Sequence, residues 1–116
     1  MKLIVSRNQS DMKGLLGGHK GVKFNLRAHV QLTPEEQQLA ERYMILKKWL
    51  PTELAAGMMG AKKVPEFGDL LTPVAFEYES LEVLLEKEEE LKKVCAGVKN
   101  YIDVARSFGG QDVFEF

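Results

Sequence analysis

The sequence predicts an α+β two-layer sandwich: a small, mostly antiparallel sheet with two main helices on one face, in the order ββαβαβ. Three observations predict it. Residues 22–32 alternate apolar and polar without a break, Thr33-Pro34-Glu35-Glu36 opens a helix directly afterwards, and residues 81–105 carry a helical apolar stripe. The 116 residues read as one domain, 1–116, because division would leave pieces too small to bury a core.

The first strand is read at Leu3-Ile4-Val5, a short run with branched side chains. Asn8 to Gly21 reads as a loop with glycines at 14, 17, 18 and 21, in which Asp11 is placed to cap one helical turn. In the second strand Val22, Phe24, Leu26, Ala28, Val30 and Leu32 alternate with Lys23, Asn25, Arg27, His29 and Gln31. Successive side chains of a strand point to opposite faces, so this is a strand covered on one side only. Thr33 caps the helix that follows, Pro34 suits its first position, and Glu36 completes a capping box. Leu39, Tyr43, Leu46 and Leu50, widened by Met44 and Trp49, carry that helix to Pro51.

From 52 to 68, Gly57, Gly60, Pro65 and Gly68 break any long pattern, and Met58-Met59 offers an adaptable apolar contact. Asp69-Leu70-Leu71 reads as a helical turn and Val74–Tyr78 as a strand with Val74, Phe76 and Tyr78 on one face. Ser80 opens the longest helix, to about Phe108. Its stripe is Leu81, Leu84, Leu85, Leu91, Val94, Cys95, Val98, Ile102 and Ala105. Gly109-Gly110 supplies a left-handed cap, and Gln111 to Phe116 reads as a last strand.

Charge divides unevenly along the chain. Residues 1–31 hold six basic side chains and one acid, and the remainder holds ten basic and sixteen acidic ones, so a net charge of -1 joins a +5 segment to a -6 segment. The field of a surface, not the total charge, selects partners. A lone cysteine, Cys95, forms no internal disulfide, and no apolar run approaches the roughly 20 residues of a bilayer span. With no long apolar stretch near Met1 either, the expected location is cytoplasmic, with no membrane contact.

Several motifs invite chemistry. The loop Gly14 to Gly21 is rich in glycine and holds Lys20, as anion-binding loops do, but His19 stands where a phosphate loop needs glycine, and a strand follows instead of a helix. Its simpler reading is a hairpin connection. Ser10 and Lys13 match the Ser-x-x-Lys spacing of acyl-transfer enzymes, a pattern too short to carry weight alone. No close-spaced ligand pair points to zinc, and no metal or cofactor is expected. Cys95 sits in an apolar stripe, where cysteine acts as a small hydrophobe. The acidic run Glu86, Glu88, Glu89 and Glu90 reads as a solvated helix face. Glu88 is the exception: it stands where the stripe calls for an apolar residue and so faces a basic partner.

Lys13, His19, Lys20, Lys23, Arg27 and His29 form the candidate binding set, a basic strand face beside a Gly-rich loop. The expected function is a small interaction or regulatory domain, non-enzymatic and homo-oligomeric, whose partner is a protein or a second copy matched to the acidic helix. The alternative is binding of nucleic-acid or nucleotide phosphates by the same face, weakened because Phe24 points away from it and leaves no stacking platform. A third reading, an enzyme with His19 or His29 as acid/base, lacks any orienting partner in the sequence.

Overall fold

A computed structural model of the chain describes residues 1–13, 20–50 and 66–116. The glycines at 14, 17 and 18, His19 and the Met58-Met59 pair lie outside the described residues. Three strands, β1 (Lys2–Lys13), β2 (Lys20–Gln31) and β3 (Val74–Tyr78), form one antiparallel sheet in that order. Two α-helices, α1 (Pro34–Arg42) and α2 (Leu81–Arg106), are described, giving the order ββαβα. The α+β architecture with a one-sided antiparallel sheet is as the sequence predicts.

β2 is the centre of the sheet. It pairs with β1 from Lys2↔Gln31 to Lys13↔Lys20, and with β3 from Phe24↔Tyr78 to Ala28↔Val74. Its even-numbered side chains Leu26, Ala28 and Val30 are buried with Phe76, Leu84, Leu91, Val98 and Ile102 in a single core. The strict alternation read in the sequence is therefore the division between core and open face.

β1 runs eight residues further than the sequence suggests. Ser6 to Lys13 contains few branched or aromatic residues, and its strand conformation comes from pairing with β2 rather than from propensity. Beyond Phe24 the third strand ends, so Ser10–Lys13 and Lys20–Lys23 continue as a two-stranded arm. The molecule is elongated accordingly, 67 × 31 × 23 Å, with a radius of gyration of 18.0 Å against the roughly 13 Å of a compact chain this long.

The capping box at α1 forms as predicted: the Glu36 backbone N–H donates to Thr33 Oγ1 (3.2 Å), and the Thr33 N–H donates to Glu36 Oε1 (2.9 Å). The Met1 amino group donates to both oxygens of the same buried carboxylate at 2.9 Å. Burial alone would raise the pKa of Glu36, but these donors outweigh it and hold the carboxyl below its ordinary range. The helix stops at Arg42, well short of Pro51. Met44 takes a left-handed conformation (φ 58°), and a 3-10 turn over Ile45–Lys47 follows. That reversal buries Ile45 and Leu50 and leaves Tyr43, Met44 and Trp49 on the surface, off the stripe the sequence assigned them.

α2 starts where Ser80 predicts, with the Val83 N–H aimed at Ser80 Oγ (3.5 Å). Leu84, Leu91, Cys95, Val98, Ile102 and Ala105 are buried, whereas Leu81 and Leu85 are exposed. Gly109 has the expected positive φ (94°). Residues 111–116 pair with no strand among the described residues, and the sequence reading of a last strand there gives way to an irregular segment whose side chains are exposed. No helix among the described residues is long and apolar enough to cross a membrane.

Gly97 lies in the middle of α2, where an added Cβ would meet nothing within 4 Å. Gly97→Ala should therefore stabilise the protein by about 0.5–1 kcal/mol in denaturant titration, the helix-propensity difference. Thr33→Ala should destabilise it by about 1 kcal/mol through loss of the cap. Burial pushes the Cys95 thiol up to about 11, so the native protein should resist thiol alkylation at neutral pH and react only once denatured.

Candidate binding face

The strand period places two sets of side chains on opposite sides of the sheet. Both helices cover the side of Leu26 and Val30, and the other side is left to Ile4, Ser6, Asn8 and Ser10 of β1, Lys23, Asn25, Arg27 and His29 of β2, and Ala75 and Glu77 of β3. Across the ladder Ser6 faces Arg27, Asn8 faces Asn25, and Ser10 faces Lys23. Ser6, Asn8, Asn25, Arg27 and Ala75 line a shallow depression in the middle of this face.

The charges on the face differ in their freedom. Lys23 Nζ lies 2.7 Å from Glu77 Oε1, and this carboxylate holds the ammonium above its ordinary range. Asn25 Nδ2 donates to Ser10 Oγ at 3.4 Å. His29 Nε2 lies 3.1 Å from the carbonyl oxygen of Leu71, a contact in which the ring donates when the proton sits on Nε2. Arg27 is exposed and makes no ion pair among the described residues. Among the described residues the face thus presents hydroxyls, carboxamides, the exposed Arg27 guanidinium and, at its end, the Lys2 ammonium, beside a lysine paired with Glu77.

Of the six residues singled out by sequence, three have side chains that the structure places. Lys23, Arg27 and His29 share the open face, as their odd numbering requires. Lys13 and Lys20 are register partners at the end of the arm. His19 lies outside the described residues. Glu77, brought in by β3, was not visible as a member of this face from the strand it faces.

The partner that Glu88 calls for comes from the same chain. Arg7 falls in phase with Leu3 and Val5, on the covered side of β1, and its guanidinium grips Glu88 of α2 with two hydrogen bonds, Nε to Oε1 and Nη2 to Oε2, the second at 2.8 Å. Glu88 is 3% exposed. Glu89 pairs with Lys92 at 2.9 Å and Glu90 with Lys87 at 3.5 Å, so two of the four acids of the run are paired within the helix. Arg7 was missed because it was read alone. A cation in the apolar phase of a strand and an anion in the apolar stripe of a helix are each out of place, and each answers the other.

Among the described residues no group of three histidines, cysteines or carboxylates is placed to hold a metal ion. No protein-family model, no curated protein and no solved structure matches the chain.

Replacing Arg7 by Leu leaves a buried carboxylate with no counter-ion, and the melting temperature should fall by several degrees. The double variant Arg7→Leu/Glu88→Leu should recover most of that loss, since two apolar side chains suit the sheet–helix contact. Thermal melts of the single and double variants check this.

Proposed function

We propose that the protein is a non-enzymatic interaction domain that binds a protein partner through the open sheet face, with Arg27 as its principal charge contact. The observation that carries this reading is the state of Arg27: an exposed guanidinium at the centre of an uncovered polar face, beside Ser6, Asn8 and Asn25, without an ion pair among the described residues. Guanidinium recognises carboxylates bidentately, and the flanking amides and hydroxyls suit a partner's backbone and polar side chains. An acidic protein surface meets both requirements.

Phosphate binding by the same face has less behind it. Glu77 pairs with Lys23 there, and among the described residues no aromatic side chain of the face offers a base a platform. The enzyme reading loses His29, whose Nε2 is engaged with the Leu71 carbonyl.

Fluorescence anisotropy with a labelled glutamate-rich peptide and with mixed-sequence RNA separates the readings. The expected result is peptide binding that weakens at least tenfold in Arg27→Glu, with RNA bound no better than the peptide. Salt-sensitive RNA binding that outlasts Arg27→Glu, or no peptide binding by the wild type, would remove the proposal.

A further inference from the structure

A second surface, away from the open sheet face, carries exposed aromatic side chains. The turn after α1 and the second half of α2 enclose a groove lined by Lys48, Trp49, Lys93, Val94, Gly97 and Tyr101. Trp49 is 62% and Tyr101 52% exposed, and Lys48 Nζ lies 4.7 Å from the centre of the Tyr101 ring. Its floor at Gly97 is open space. Lys93 makes no salt bridge among the described residues. The groove is therefore aromatic at its walls and cationic at its edges.

The same chain contains a segment with the opposite character. Asp112-Val113-Phe114-Glu115-Phe116 is acidic and aromatic, makes no hydrogen bond among the described residues, and leaves Phe114 78% exposed. An extended apolar segment without a partner is an unusual thing for a folded chain to hold in water. α2 rises about 12 Å from Lys93 to Tyr101. Asp112 to Phe116 spans about 13 Å when extended. Length, polarity and charge sign all match.

We infer that residues 111–116 of a second copy of this chain seat in the groove of the first. Phe114 fills the space over Gly97 between Trp49 and Tyr101, and Asp112 and Glu115 meet Lys93 and Lys48. Reciprocal exchange of the segment closes a two-fold dimer, the simplest closed assembly. Two such grooves, each shutting over two phenylalanines, cover on the order of the 1,200 Å² at which specific interfaces begin. The contact is independent of the open sheet face, so either surface can fail without the other.

The test uses the full chain in sedimentation velocity over a wide concentration range. Gly97→Leu plugs the groove at a position with room for a side chain, and Phe114→Ser/Phe116→Ser removes the anchors from a segment outside the fold. A single cooperative melting transition in each establishes that both variants fold. The wild type should sediment as a dimer and each variant as a monomer. A monomeric wild type would overturn the inference, as would dimers that survive in either variant. A dimer lost only in Arg27→Glu would also overturn it and would place self-association on the open sheet face.

Discussion

The two-sided pairing of β2, with one of its faces buried and the other bare, is the constraint on which the rest of the structure depends. Its pairing to β1 extends an otherwise unpromising sequence into a twelve-residue strand, and its pairing to β3 returns the chain to the start of α2. Because the side-chain period is two, the burial of Leu26, Ala28 and Val30 fixes in one step which residues of all three strands face the helices. A slip of one residue would bury Arg27 and expose the core. The polar character of the open face is thus a consequence of the register that makes the core.

Charge follows the same logic. The basic first segment and the acidic remainder look in the sequence like two poles awaiting partners. In the fold some of them meet each other: Arg7 with Glu88, Lys23 with Glu77, and the Met1 amino group with Glu36. The asymmetry along the chain becomes a set of local pairs across elements distant in sequence. What remains unpaired on the open face among the described residues is Lys2 at its end and Arg27 at its centre, whose cross-strand neighbours Ser6 and Ala75 carry no charge.

The legible parts of the sequence were those with strong local signals: the alternation of β2, the capping box at Thr33, the short strand at Val74, and the long amphipathic helix. The errors arise where non-local contacts decide. Ser6 to Lys13 has no strand propensity to display, and only β2 supplies the reason for its conformation. The stripe Leu39, Tyr43, Leu46 and Leu50 keeps a helical period, yet the left-handed turn at Met44 ends the helix early so that Ile45 can be buried. Gln111 to Phe116 looks like a strand because its composition is that of one, but no strand among the described residues pairs with it. At the candidate site, Lys23, Arg27 and His29 could be placed together from their spacing alone. Glu77 and the Leu71 carbonyl, which decide how free Lys23 and His29 are, come from residues more than forty positions away.

The central claim is that the polar face of the sheet is open to partners while the opposite face is sealed. Solvent paramagnetic relaxation, measured with a soluble gadolinium chelate, tests it most directly. The account predicts strong broadening of the side-chain signals of Asn8, Asn25 and Arg27, with the methyls of Leu26, Ala28 and Val30 spared. Equal protection of both sets would mean that the polar face is covered, and would contradict the account.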